Sequence, residues 1–294
     1  MAMKVLGIRF AIILSFLVVL ITVIYAYQLT LQRLSYRPTT PPPNLTDKVT
    51  VSPTGSATSK SALPALVAGE KSLKIPILTY HYISYNGNQA DTIRTSLSTL
   101  PATFEEQLKL LQTHGFTTVS LDELAAAFTG NYTLPAKAVI LTFDDGYRDF
   151  YTNAVPLLTK YQMKGVVFIA TGLVGGGNYL TWNQIEELSR SPLVSFAAHT
   201  VHHYALTGVG EAVLKSELEE SKLILEQHVS YRINWMAYPY GNFDQRVMKA
   251  TQRAGYIGSA TMLPDSWQYQ SRFFYLPRIR VGNQRGNDFL QLVK

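Results

Sequence analysis

The chain has 294 residues, 47% hydrophobic and 16% charged, and its 26 Lys/Arg against 20 Asp/Glu give a formal net charge of +6. The first 71 residues hold seven Lys/Arg and two Asp/Glu, so +5 of that charge sits there and the remainder is close to neutral. This argues against a nucleic-acid-binding domain, which concentrates Lys/Arg on its folded surface. There is no cysteine, which excludes a disulfide framework and a thiolate metal site.

From Phe10 to Gln32 no residue is charged, and at about 1.5 Å per residue such a helix crosses an apolar core of roughly 30 Å. Lys4 and Arg9 precede it and favour a cytoplasmic position for residues 1–9, although Arg33 and Arg37 reduce the contrast. Tyr25-Ala26-Tyr27 is bulky where a signal peptidase needs small residues. Residues 10–32 therefore read as an uncleaved transmembrane signal anchor; cleavage there would instead give a secreted protein. Residues 33–73, rich in Pro, Ser and Thr and including Pro41-Pro42-Pro43, bury too little apolar surface to fold and read as a tether. The remaining stretch, 74–294, suits a single α/β domain on the extracytoplasmic side.

Within that domain, Thr103-Phe104-Glu105-Glu106 predicts a capping box opening a helix over 108–114. Ser120-Leu121-Asp122-Glu123 opens a second helix, which Gly130 ends. Apolar runs predict strands over 138–143, 165–170, 193–198, 233–237, 257–261 and 275–281. Helices are expected over 149–161 (with Pro156 a kink or boundary), 182–189, 211–228 and 244–254. Alternating strands and helices imply a parallel sheet.

Two strand ends carry the chemistry. Ala138 to Phe143 is apolar and rich in β-branched and aromatic residues, as a buried parallel strand requires, and it ends on Asp144-Asp145-Gly146. Adjacent carboxylates without a neighbouring base repel one another unless a cation separates their roles. A divalent metal does so, one Asp ligating and the other free to act as a base; an Asp-Asp-Gly turn capping a helix is the plainer alternative. The second strand end is His199-Thr200-Val201-His202-His203, which concentrates three of the six histidines. Imidazoles four apart on a helical turn project to one side and can grip one ion, and an Asp with two His leaves catalytic positions open.

Thr142 to Tyr147 resembles the first motif, and His199 to His203 the second, of the NodB-type polysaccharide deacetylases, carbohydrate esterase family 4. Ala237-Tyr238-Pro239-Tyr240-Gly241 resembles the family's groove-wall motif. Leu276-Pro277-Arg278-Ile279-Arg280-Val281 resembles the late strand of the branch that includes the poly-N-acetylglucosamine deacetylases. The resemblance runs from about Pro76 to Val281, and four motifs in the right order make it specific. It departs from the pattern in two places. Ala237 stands where many members carry Arg, and no His follows His228, where many carry a leucine-x-histidine motif. In the poly-N-acetylglucosamine branch that histidine comes from an N-terminal strand. Ile75-Pro76-Ile77-Leu78-Thr79-Tyr80-His81-Tyr82 matches that strand, and Arg278 or Arg280 would replace the missing Arg.

The resemblance implies an irregular (β/α) barrel of about seven strands with the site at their C-terminal ends. It also implies metal-dependent removal of N-acetyl groups from an N-acetylglucosamine-containing envelope or exported polysaccharide. Asp145, His199 and His203 would hold the ion (zinc, or alternatively nickel or cobalt), His203 being preferred to His202 because the family spacing is four. Asp144 would be the base, His81 would protonate the leaving amine, and the backbone N–H of Tyr240 would stabilise the oxyanion. Substrate contacts are expected from Tyr147, Trp182, Tyr204, Pro239, Arg278 and Arg280. A catalytically silent glycan-binding relic and a deacylase for O-acetyl esters or small amides are the competing classes; oligomeric state is not legible.

Overall fold

The computed structural model describes residues 69–294; the expected signal anchor and the tether up to residue 68 lie outside the described residues. Among the described residues no helix is long and apolar enough to cross a membrane. The chain enters through β1 (Ser72–Lys74) and β2 (Ile77–Tyr80), then passes α1 (Thr92–Leu97), α2 (Pro101–Thr113), β3 (Thr117–Thr118), α3 (Leu121–Phe128) and β4 (Ala138–Phe143). A π-helical turn, Phe150–Ala154, leads into α4 (Val155–Tyr161), β5 (Gly165–Ile169), α5 (Trp182–Leu188), β6 (Val194–Ala198) and α6 (Glu211–His228). There follow β7 (Trp235–Ala237), α7 (Gln245–Arg253), β8 (Gly258–Ala260), β9 (Trp267–Tyr269), β10 (Ile279–Arg280) and α8 (Gly286–Leu292).

The main sheet runs β10-β2-β4-β5-β6-β7-β8 with β3 beside β4, and every pairing in it is parallel. Leu276 exchanges backbone bonds with Ser259 and Thr261 on the β8 edge, three residues before β10 joins β2 on the other. The sheet is thereby drawn toward a barrel, as expected. Side chains alternate along each strand. Leu78, Tyr80, Leu141 and Phe143 face the surrounding helices, while Ile77, Ile140, Val166, Phe168 and Trp235 form a second, inner cluster. Leu121, Leu124 and Phe128 of α3 join that inner cluster together with Ala138 at the start of β4. This plugs the N-terminal ends of the strands and leaves the opposite ends for the site.

Gly258 is the tightest point of that interior. A methyl there would overlap the Trp235 ring and come within 2.6 Å of the Phe273 carbonyl oxygen. Gly258→Ala should destabilise the domain by about 1–3 kcal/mol, the usual cost of overpacking, measurable as a lowered denaturant midpoint.

Ser120 caps α3 as expected: its hydroxyl accepts from Glu123 N–H at 3.1 Å and Glu123 Oε2 accepts from Ser120 N–H at 2.7 Å. The other expected capping box does not form. α2 starts at Pro101, whose missing N–H suits the first turn, and Thr103 is buried inside the helix. The expected strand over 275–281 shrinks to Ile279–Arg280, because a 3₁₀ segment occupies Gln270–Tyr275 and Pro277 cannot donate to a ladder. The expected 149–161 helix divides at Val155, with the π turn ahead of Pro156. α1, α8 and the antiparallel β1–β9 pair were not legible; α1 buries no residue and so shows no apolar period.

Candidate active site

Strand register assembles the site. Tyr80 pairs with Phe143, so His81 and Asp144 leave neighbouring strand ends side by side. Ala198 pairs with Ile169 on one flank and Met236 on the other, so His199 emerges between β5 and β7. Five non-glycine residues have positive φ among the described residues, and four of them, Asp145 (71°), Thr200 (67°), His203 (59°) and Tyr240 (60°), sit in the three motif loops. For a β-branched residue such as Thr200 this is a true outlier, and each such residue costs on the order of 1–3 kcal/mol. Gly146 (φ 75°) is required both by its backbone and by Ile169, whose Cδ1 would lie 2.8 Å from an added methyl. The His199–His203 segment is therefore not a helical turn, as the four-residue spacing had implied. A loop with two left-handed residues brings the two rings together.

The convergence is tight. Asp145 Oδ1 lies 3.3 Å from His199 Nε2 and 3.1 Å from His203 Nε2, and the two imidazole nitrogens are 3.2 Å apart. His199 Nδ1 is 2.7 Å from the Ala237 carbonyl oxygen, which can only accept, so Nδ1 carries a proton and Nε2 is the atom left to turn a lone pair inward whenever the ring is neutral. The contacts to Asp145 are close enough for charge but not aligned as hydrogen bonds, leaving the buried Oδ1 without a donor. Burial works against ionising Asp145, yet the two imidazoles against it more than offset this and hold its carboxyl well below the usual range. Burial likewise opposes charge on His199, and Asp145 and Asp144 outweigh it and raise its pKa. Three electron-rich atoms facing one point demand a positive charge, and an oxygen and two imidazole nitrogens suit zinc, nickel or cobalt. The residues present fit such an ion.

Asp144 is held away from this point. Arg278 Nη1 and Nη2 donate to its two oxygens at 2.7 and 2.8 Å, while Arg278 Nε donates to the Thr261 carbonyl at 2.9 Å. Burial would raise the Asp144 pKa, but the guanidinium fork lowers it overall and keeps the carboxylate ionised. His81 Nε2 lies 3.9 Å from Asp144 Oδ2. Burial lowers the His81 pKa, against the opposing pull of Asp144 and Asp145. His81, Asp144, Asp145, His199 and His203 line a cavity of about 230 Å³. A larger hollow of about 310 Å³, at Lys74, His114 and Lys137, brings no such cluster together.

Of the remaining expected residues, Tyr240 and Arg280 line the cavity. Tyr240 is 66% exposed, with its ring 4.8 Å from that of His203. Arg280 is exposed and forms no ion pair among the described residues. Arg278 is corrected as a substrate contact: it is 1% exposed and both its terminal nitrogens are committed to Asp144. Tyr147 cannot offer a ring face to a sugar, because Tyr82 (3.7 Å between centroids) and Tyr179 (5.2 Å) stack on both sides of it. Trp182 stacks on His228 at 4.0 Å, and Tyr204 stacks on His202 at 5.3 Å; neither lines the cavity. Pro239 is buried and serves the turn that presents Tyr240. His202 turns away from the cluster, with Nδ1 2.6 Å from Glu217 Oε1. Ile93 and Leu97 of α1 and Met262 also line the cavity and were missed. Met262 lies just past a strand end, a position that could have flagged it.

The family profile described as polysaccharide deacetylase matches residues 131–258. YxkH of Bacillus subtilis (strain 168), named as a polysaccharide deacetylase, is 32% identical over 217 residues, covering 74% of this chain and 75% of its own length. The poly-beta-1,6-N-acetyl-D-glucosamine N-deacetylase of Escherichia coli (strain K12) is 35% identical over 126 residues, 37% of this chain and 19% of that protein. Among solved structures, Streptococcus pyogenes deacetylase PplD in complex with acetate superposes with a TM-score of 0.71 at 30% identity, covering 76% of this chain and 100% of that one. Sequence and architecture thus agree over most of the chain's length, and the chain belongs to the polysaccharide deacetylases, the NodB-type carbohydrate esterase family 4.

Proposed function

We propose that this protein removes N-acetyl groups from an N-acetylglucosamine-containing polysaccharide outside the cytoplasm, with a divalent ion held by Asp145, His199 and His203. The observation that carries the reading is the division of labour between adjacent carboxylates. Asp145 faces two imidazoles, while Asp144 is forked by Arg278 and kept free. An ion held there would supply Lewis acidity, the chemistry that polarises an amide carbonyl and acidifies water. Asp144, kept ionised by Arg278, accepts the proton of the attacking water as the oxygen bonds to the acetyl carbon. His81, 3.9 Å from Asp144, takes up the proton that Asp144 has accepted and passes it to the sugar nitrogen as the C–N bond breaks, giving acetate and a free amine. Tyr240, whose ring lies 4.8 Å from that of His203, would offer its backbone N–H to the negative charge building on the acetyl oxygen. Arg280, exposed and without an ion-pair partner among the described residues, is the group that meets substrate oxygens at the rim. The N-deacetylase names of the similar proteins and the acetate bound in PplD support this choice. Anchoring through residues 10–32 would keep the domain beside an envelope polymer.

The test is acetate release from acetylated glucosamine polymers, with acetylated xylan as the ester control. Activity should vanish on chelation and return with added Zn²⁺ or Co²⁺. Full activity in metal-stripped protein would sink the reading, and metal binding without acetate release would leave a glycan-binding relic. His81→Ala should lower kcat by about 10²–10⁴-fold, the usual contribution of a general acid, while leaving metal affinity unchanged. Activity near that of the wild type would remove His81 from the reaction.

A further inference from the structure

The loop that carries His199 and His203 is held in an unfavourable backbone conformation, and one buried acid of α6 faces it. Glu217 is 2% exposed. Its Oε2 accepts from the N–H groups of Val201 and His202, each at 2.9 Å, and its Oε1 meets His202 Nδ1 at 2.6 Å. Among the described residues no Lys or Arg forms an ion pair with it. A carboxylate this deeply buried is tolerated only when hydrogen bonds satisfy it, and here every donor comes from the histidine loop. From the segment after β5 the N–H groups of Thr171 and Gly172 donate to the carbonyls of Thr200 and Val201 at 3.1 and 2.8 Å. Within the loop, Thr200 Oγ1 accepts from His203 N–H at 3.0 Å. The loop that holds the left-handed residues Thr200 and His203 is thus tied to two separate elements and to itself.

We infer that Glu217 is a positioning residue for the ion site: through Val201 and His202 it fixes the backbone on which the imidazoles of His199 and His203 converge. The inference rests on the reading of Asp145, His199 and His203 as a cation site. Glu217 does not line the cavity, so it acts only through the loop. It also accounts for the roles of the adjacent histidines. His202 is drawn down onto Glu217, and its neighbour is left to face Asp145. Without Glu217 the loop loses the contacts that offset its two strained residues, and the three ligands no longer share one point.

The experiment uses the full chain and measures Zn²⁺ affinity by competition with a chromophoric chelator, with the absorbance of bound Co²⁺ reporting geometry. Wild type is compared with Asp145→Ala, Glu217→Leu, Glu217→Asp and Glu217→Gln, and the melting of each metal-free protein checks the fold. Glu217→Leu should weaken Zn²⁺ binding by about 10–100-fold, as loss of an outer-shell partner does. Glu217→Asp, too short to span both arms, should weaken it about tenfold and alter the Co²⁺ spectrum. Glu217→Gln should stay close to wild type, because its carbonyl accepts both backbone N–H groups and its amide donates to the other tautomer of His202. Wild-type protein that binds no ion, or binds it equally well without Asp145, defeats the cation reading itself. Binding that depends on Asp145 but is unchanged in Glu217→Leu and Glu217→Asp overturns the positioning role alone. If Glu217→Leu does not fold, equal affinities in the Asp and Gln variants overturn it.

Discussion

Asp144→Asn should bind metal as the wild type does and lose about 10²–10⁴-fold in kcat, with KM little changed. The carboxylate is placed for proton transfer and not for ligation. Both its oxygens are engaged by Arg278, and the imidazoles face Asp145 instead. Asparagine has nearly the same volume, so the cavity keeps its shape, but an amide cannot accept the water's proton at neutral pH. One arm of the fork is also lost, because the new NH₂ confronts a guanidinium NH₂ and both can only donate. Some loss of thermal stability is therefore expected, and metal affinity must be measured separately from turnover. A kcat within tenfold of wild type would show that another group takes the proton. Joint loss of metal binding and activity would show that the two aspartates share the ion.

The parts of this site that were legible in the sequence are those fixed by short-range pattern. Ala138 to Phe143 reads as a buried strand because its residues are buried on both faces, and so the two aspartates could be placed at its end. His199 and His203 were found by spacing and resemblance, although the physical reason given, a helical turn, was wrong. What joins them is backbone bent at Thr200 and His203, and no propensity foretells a left-handed threonine. The role of Arg278 depends on a contact across 134 residues that exists only once β10 lies beside β2 and β4 beside β2. Nothing in Pro277-Arg278-Ile279 reveals that this guanidinium is buried, and a charged side chain on a late strand is more naturally read as exposed. Tyr147 failed as a sugar platform for a related reason. A tyrosine next to a catalytic turn looks available until the third dimension stacks Tyr82 and Tyr179 against it. Burial on α6 hid Glu217 in the same way, as one acid within a helix whose surface is rich in charge.

Arg278→Leu should cost about 3–5 kcal/mol of stability, the price of stranding one partner of a buried ion pair. For a domain of this size that corresponds to a fall in Tm of roughly 6–20 °C, at about 2–4 °C per kcal/mol. The argument turns on how fully the pair is enclosed. Arg278 also donates to the Thr261 carbonyl and to Thr142 Oγ1, and its guanidinium lies 5.3 Å from the Phe168 ring centroid. Removing it leaves a buried Asp144 carboxylate beside the Asp145 carboxylate and without its two strongest donors. Arg278→Lys keeps the charge but cannot reproduce the planar fork, so it should recover only part of the stability and little of the activity. The decisive variant is Asp144→Leu combined with Arg278→Leu. With both charges gone no buried charge is left unpaired, although the Thr261 carbonyl loses its donor, and Tm should return most of the way toward wild type while acetate release stays absent. That split would show that the ion pair is kept for the carboxylate it holds ready and not for the stability it adds. A double variant as unstable as Arg278→Leu alone would mean instead that the arginine's contacts to Thr142, Thr261 and Phe168, independent of Asp144, hold β4, β5 and β8 in place.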